Sequence, residues 1–182
     1  MKPDLQPTLK GKLVELRPLK PEDFDSLYEV ASDPLIWEQH PASDRYKEDV
    51  FRAFFREAIE SGGAFIVYDA KDGSVIGSSR YHGYDPAKSE IEIGWTFLAR
   101  ARWGGRYNGE MKELMLHHAF GFVDRVLFMI GPTNHRSRRA VEKIGGTFVG
   151  SRPDEKGVDR VVYEITAERF EKGPLSYADR SG

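Results

Sequence analysis

Between Glu90 and Ile144 the chain reads as strand, basic glycine loop, helix, strand, and a second helix opened by Asn-x-x-Ser, an order that few architectures accommodate. The stretch Glu90-Ile91-Glu92-Ile93-Gly94-Trp95-Thr96-Phe97 is rich in β-branched and aromatic residues, which predicts a strand. It gives way to Arg100-Ala101-Arg102-Trp103-Gly104-Gly105-Arg106-Tyr107-Asn108-Gly109, where glycines and arginines interleave. An apolar-periodic segment from Glu110 to Val123 follows at once. The loop therefore delivers a ligand to a helix N-terminus, where backbone N–H groups without intrahelical partners and the positive dipole end favour phosphate. A pyrophosphate site is the first expectation. Taken alone, a Gly-Gly-Arg loop is more often a solvated basic turn, and only the surrounding order of elements favours the anion.

The rest of the composition narrows the classes. At 182 residues the chain can bury one full core, and we read a single domain over 12–166 between tails at 1–11 and 167–182. A formal net charge of −2 gives no global basic field, so neither nucleic acid nor an anionic membrane is an expected partner. With no cysteine, disulfides, thiolate metal sites and a cysteine nucleophile are excluded together. The N-terminus lacks the apolar core of a signal peptide, and no stretch approaches the roughly 20 apolar residues of a membrane span, so a cytoplasmic protein is expected.

Along the chain the pattern predicts an α/β (α+β) fold. A first strand spans Lys12 to Leu19, and a helix starts at Pro21-Glu22-Asp23 with Phe24, Leu27, Tyr28 and Ala31 on one face. A second helix runs from about Lys47 to Glu60 and stops at Ser61-Gly62-Gly63. Ala64–Tyr68, Ser74–Tyr84 and Glu90–Phe97 then form an antiparallel meander, turning first at Lys71-Asp72-Gly73. Beyond the loop and its helix come a buried strand at Arg125–Ile130, a short helix at Arg136–Ile144, and a last hairpin of Thr147–Ser151 and Val158–Ile165. A loose tail is expected from Lys172.

This order resembles the GNAT superfamily of acyl-CoA-dependent N-acyltransferases, and within it the branch of ribosomal-protein N-terminal acetyltransferases. The likeness covers roughly Leu13 to Ile165. It rests on Leu16-Arg17-Pro18-Leu19, Glu92-Ile93-Gly94-Trp95, Trp103-Gly104 to Glu110, and Asn134-x-x-Ser137-x-x-Ala140-x-x-Lys143-x-Gly145. The family's loop pattern is Gln or Arg, two residues, Gly, one residue, then Gly or Ala, and this chain departs from it. One register puts Trp103, Arg106 and Asn108 at those positions; the other puts Arg102, Gly105 and Tyr107 there.

The resemblance implies one mixed, mostly antiparallel twisted sheet of six to seven strands with helices on both faces. It also implies that Glu90–Phe97 and Arg125–Ile130 splay apart to admit the pantetheine arm of acetyl-CoA. Backbone groups of Phe97, Leu98 and Ala99 would pair with that arm. The phosphates would lie on the loop formed by Arg102, Trp103, Gly104, Gly105, Arg106, Tyr107, Asn108 and Gly109. Asn134 would meet the pantetheine amides, with a plain helix cap as the equal alternative. Acetyl-CoA and an amine acceptor are the implied partners, with a homodimer as the oligomeric form to test.

Acyl transfer to an amine needs a neutral nucleophile, a polarised thioester carbonyl and a proton for the departing thiolate. Glu92, which fits the Glu-x-Gly-aromatic pattern, is the candidate base, against the reading of a solvent-side strand carboxylate. Alternation places Glu90 and Glu92 on one face and Ile91, Ile93 and Trp95 on the other. Backbone N–H groups near Phe97 and Leu98 are the candidates to polarise the carbonyl. Ser137 is the candidate thiol proton donor, with Tyr107 or Tyr163 as substitutes, unless its hydroxyl bonds back to its own helix. Trp37, His40 and His82 are candidate substrate contacts; the acceptor would bind between the first two helices and the turn Ser151 to Val158. His117 and His118 diverge by about 100° on their helix and are expected to pack. Nothing in the spacing suggests a metal. The activity implied is transfer of acetyl from acetyl-CoA to a primary amine by direct attack; the alternative is a non-catalytic acyl-CoA-binding module.

Overall fold

The computed structural model describes residues 2–173, and the terminal stretch 174–182 of the expected C-terminal tail lies outside them. Eight strands make one sheet in the order β1-β2-β3-β4-β5-β6-β8-β7. The strands are β1 (Leu9–Lys10), β2 (Val14–Pro18), β3 (Ala64–Asp69), β4 (Val75–Asp85), β5 (Glu90–Leu98), β6 (Arg125–Ile130), β7 (Thr147–Pro153) and β8 (Asp159–Thr166). Every pairing is antiparallel except that of β5 with β6.

Alternation along β3 divides the core in two. Phe65 and Val67 point to a cluster that includes Met111, Met115, Leu116 and Ala119 of helix α3 (Arg106–Ala119), together with Val141 of α4 (His135–Lys143). Ala64 and Ile66 point the other way. There they meet Leu27 and Ala31 of α1 (Phe24–Ala31), Phe51, Phe54 and Phe55 of α2 (Glu48–Ser61), and Phe97 of β5. The apolar stripe of α2 recurs at helical spacing, so one face of the helix is buried while Glu48, Arg52 and Arg56 stay outside. Gly62 ends α2 in the left-handed conformation, φ +68°.

Both ends of the chain carry more structure than the sequence suggested. The segment before Gly11 contributes β1, and Gln6 Nε2 donates to the Ala64 carbonyl at 2.8 Å. Residues Ala167–Lys172 form a further helix, α5, whose Phe170 packs on Phe120 with ring centroids 5.3 Å apart. Glu110 anchors the start of β2: its Oε1 accepts from the Leu13 N–H at 2.8 Å, so α3 is tied to the far edge of the sheet. Among the described residues no helix is long and apolar enough to cross a membrane.

Candidate active site

β5 and β6 pair over three positions only, Glu90 with Arg125, Ile91 with Val126 and Glu92 with Leu127. Beyond Glu92 β5 stays on β4, while β6 stays on β8 as far as Ile130, so the two strands part. A bulge in β5 assists the parting: Gly94 faces Arg80 and Phe97 faces Ser78, so β5 carries one extra residue, and Trp95 sits at φ +53°. That conformation is uncommon for a bulky aromatic residue and marks stored backbone strain. The bulge also corrects the expected alternation. Trp95 turns to the face of Glu92, meeting His82 edge to face at 5.0 Å and lying under Arg80 at 4.4 Å, while Ile91 and Ile93 remain on the α3 side. The gap opens into a cleft of about 1200 Å³ that passes through the sheet.

The half of the cleft nearest α3 is built from backbone. The helix begins at Arg106, four residues before the expected Glu110, so Asn108 and Gly109 are first-turn residues facing the cleft. Gly105 is the N-cap at φ +103° and Gly104 lies at φ +116°, a backbone path that glycine adopts without steric cost. The first i→i−4 bond is Gly109 N–H to the Gly105 carbonyl at 2.7 Å, which leaves the N–H groups of Arg106, Tyr107 and Asn108 without intrahelical acceptors. A Cβ on Gly105 would lie 3.8 Å from Lys143 Nζ, so a cation from α4 stands beside this N-terminus. Arg139, one turn earlier on α4, also lines the cleft. This cradle fits a pyrophosphate.

Three residues expected to hold the donor have other engagements, and one is exposed to solvent. Arg102 donates through Nε to Asp69 at 2.8 Å, with Nη2 3.5 Å from Asp72, and Tyr107 donates its hydroxyl to Asp69 at 3.2 Å. Asp69 is buried, and its pKa is held low first by the Lys71 N–H and then by Arg102 and Tyr107. Arg102 and Tyr107 thus strap the loop to β3. The Ala99 N–H is taken by the Ile76 carbonyl on β4 at 2.8 Å. Arg106 is exposed and, like Tyr107 and Ala99, lies outside the cleft lining. Phe97 and Leu98 do line it, and the Leu98 carbonyl on the open edge accepts from Trp103 Nε1 at 3.0 Å. Trp103 also packs under the Arg136 guanidinium at 4.1 Å, joining the loop to α4.

Asn134 caps α4: its Oδ1 accepts from the Ser137 N–H at 3.4 Å. The half-buried Ser137 side chain faces the cleft, and its hydroxyl has no hydrogen bond to its own helix. Neither Tyr107 nor Tyr163 can replace it. Tyr107 is held by Asp69, and the Tyr163 hydroxyl donates to Glu142 at 2.8 Å, away from the cleft.

Glu90 and Glu92 differ sharply despite sharing a face. Glu90, at the closed end of the gap, bonds Arg125 and lies 3.6 Å from Arg152. Glu92, at the opening, has no ion pair among the described residues, and burial raises its carboxyl pKa to about 7 against the lowering pull of His82 and Arg80. A Cβ on Gly94 would stand 3.3 Å from Glu92 Oε1, so the glycine two residues on gives the carboxyl its space. His82 faces Glu92 across the β4–β5 pair, and its Nε2 lies 2.5 Å from Glu155 on the turn after β7.

Arg45, Arg80 and Lys112, which the sequence did not single out, also line the cleft, alongside His40 and Trp37, which it did. Arg80 and Arg45 lie over the Phe54 ring at 5.5 and 4.5 Å. Lys112 reaches from α3 to Thr96 Oγ1 at 2.5 Å, and burial lowers its ammonium pKa to about 7. His40 accepts the Ala42 N–H at Nδ1, 2.9 Å, and burial together with Arg45, Arg160 and Arg136 brings its pKa down to about 3, so it is a neutral ring. Trp37 lines the cleft but belongs mostly to the core, with its indole donating to the Ala31 carbonyl at 2.8 Å. Among the described residues no cluster of His, Asp and Glu could hold a metal ion.

A splayed parallel pair, a glycine-capped helix at one mouth and a buried carboxyl at the other define an acyl-CoA-dependent transferase. The family model described as an acetyltransferase (GNAT) domain matches residues 14–147, and the chain belongs to that family of acetyltransferases, which take acetyl from acetyl-CoA. A GCN5-related N-acetyltransferase from Brucella melitensis superposes with a TM-score of 0.78 at 24% identity, over 97% of this chain and 85% of that one. Mycobacterium smegmatis RimJ in complex with CoA-disulfide gives 0.73 at 22% identity, over 99% and 95%. A GNAT-family acetyltransferase from Bacillus anthracis gives 0.71 at 23% identity, over 89% and 99%. These likenesses speak for the fold. No curated protein matches the sequence.

Proposed function

We propose that this protein transfers the acetyl group of acetyl-CoA to a primary amine by direct attack, with Glu92 as the base. The observation that carries the reading is the position of Glu92. It is the last β5 residue paired with β6, and its carboxyl is tuned to about 7 where the strands open. A group with that pKa takes a proton from an ammonium near neutral pH and returns it to solvent without a large barrier. Acetyl-CoA supplies the acyl thioester. The helix N-terminus at Arg106–Asn108 and Lys143 bind its phosphates, and the open edge of β5 at Phe97 and Leu98 orients the arm.

The amine nitrogen attacks the thioester carbonyl carbon and the C–N bond forms. The C–S bond then breaks and the proton on the tetrahedral ammonium passes to Glu92. The thiolate leaves with the Ser137 hydroxyl donating a hydrogen bond to it and takes its proton from solvent, to which Glu92 returns the one it accepted. Protein and peptide N-termini are acceptors of the right size for a cleft that runs through to the opposite face of the sheet. The test is thiol release from acetyl-CoA against peptides of varied N-terminal residue, polyamines and aminoglycosides. Acceptor-dependent release that falls in Glu92→Gln and Ser137→Ala supports the reading. Saturable CoA binding without release from any acceptor would instead mark a binding module.

A further inference from the structure

Arg80 is 4% exposed, yet its Nε and Nη2 atoms are buried without a hydrogen-bond partner. Those two atoms form the side-on edge of the guanidinium, the fork that grips a carboxylate bidentately. No carboxylate of the described residues stands within ion-pair distance of Arg80; Glu57 and Glu92 act on it only from farther away. A buried cation left in this state is costly in a protein interior. Arg45 also lies over the Phe54 ring at 4.5 Å and over Trp37 at 5.3 Å, and Arg80 adds to the burial that lowers the Arg45 pKa. Both line the acceptor half of the cleft. Arg160 belongs to the same region but is neutralised by Asp154 at 3.1 Å. Two guanidinium groups set against the single carboxylate of Glu57, with Glu92 only part-ionised, leave this part of the cleft net positive.

Building on the transferase reading, we infer that Arg80 and Arg45 form an anion subsite and that the acceptor is an amine bearing a carboxylate. The spacing limits its shape. His82 faces Glu92 across the sheet, and Arg80 lies two residues along β4 on the same face, a step of about 7 Å. The amino group and the carboxylate are therefore separated by a few bonds, as in a short amino acid or in a peptide that begins with Asp or Glu.

The test pairs each acid with its neutral counterpart: β-alanine with β-alaninamide, γ-aminobutyrate with its amide, and peptides beginning with Asp or Glu with those beginning with Asn or Gln. One arm measures kcat/KM by thiol release. A second measures binding of the same compounds by calorimetry with CoA present, which needs no turnover. The expected result is a preference of at least about tenfold for the acid in one pair, the scale of a charge-assisted hydrogen bond. That preference shrinks to about twofold in Arg80→Gln and is weakened in Arg45→Gln, whose site is less buried, with thermal melting as the folding check. Acid and amide behaving alike in both arms overturns the subsite while leaving the transferase intact. Arg80-dependent binding of the acid without any turnover keeps the subsite and removes the transferase reading. The free acids and the peptides separate the two sources of the carboxylate.

Discussion

The two halves of the cleft are made differently. On the α3 side the ligand surface is backbone: a glycine-capped helix N-terminus and the open edge of β5, with the nearby Arg102 already satisfied by Asp69 and Asp72. On the α2 side it is side chain, and its charges are left in tension: Arg45 and Arg80 without ion pairs among the described residues, and Glu92 raised to about 7. A backbone surface binds one constant ligand through groups that every residue carries. A surface of unsatisfied side chains commits to a particular partner, and mutation there should change chemistry and selectivity rather than donor binding.

The largest effect that sharpens this contrast is expected from Glu92→Gln. Removing a general base should lower kcat/KM by about 10²–10⁴, while acetyl-CoA affinity changes by less than about threefold. Steady-state kinetics with calorimetry checks both, and an equal loss in donor affinity would break the division of labour. Next in size, Arg102→Ala strands a buried carboxylate that keeps only the Lys71 N–H and the Tyr107 hydroxyl. It should cost about 1–3 kcal/mol of stability, read by denaturant melts, with donor affinity nearly unchanged. A tenfold loss of affinity with unaltered stability would instead place Arg102 on the phosphates.

Smaller again is Gly105→Ala, which forces a Cβ into φ +103° at the N-cap of α3. A strain of about 1–1.4 kcal/mol should raise the KM for acetyl-CoA roughly fivefold to tenfold and spare the KM for the acceptor. Ser137→Ala should be the mildest. Loss of one neutral hydrogen bond to the leaving sulfur, about 1 kcal/mol, lowers kcat about fivefold without altering either KM. A change in acceptor KM would move Ser137 to the other half of the cleft.

The same division governs what could be read from the sequence. The donor side was legible because its signals are local: a strand pattern at Glu90–Phe97, paired glycines, and Asn134-x-x-Ser137 opening a helix. Even there the start of α3 was misplaced, since Asn108-Gly109 resembles loop but costs little in a first turn that lacks backbone bonds. The face of Trp95 was misjudged because one inserted residue in β5 inverts the alternation, and nothing in Gly94-Trp95-Thr96 announces the bulge. Arg80 could not be recognised at all. Ser79-Arg80-Tyr81 is an ordinary strand segment, and what distinguishes Arg80 is the carboxylate that no other element brings to it. Nor could the sequence show that Asp69, 33 and 38 residues earlier in the chain, accepts from both Arg102, which still lines the cleft, and Tyr107.

The most direct test of the central claim is the pH dependence of kcat/KM for thiol release, measured side by side in the native protein and in Glu92→Gln. Because the base acts only when ionised, activity should rise with pH through about 7, the value to which burial brings the Glu92 carboxyl. In Glu92→Gln that limb should vanish, leaving only the titration of the acceptor amine itself. A limb near 7 that survives in Glu92→Gln would assign the proton to another group and contradict the account.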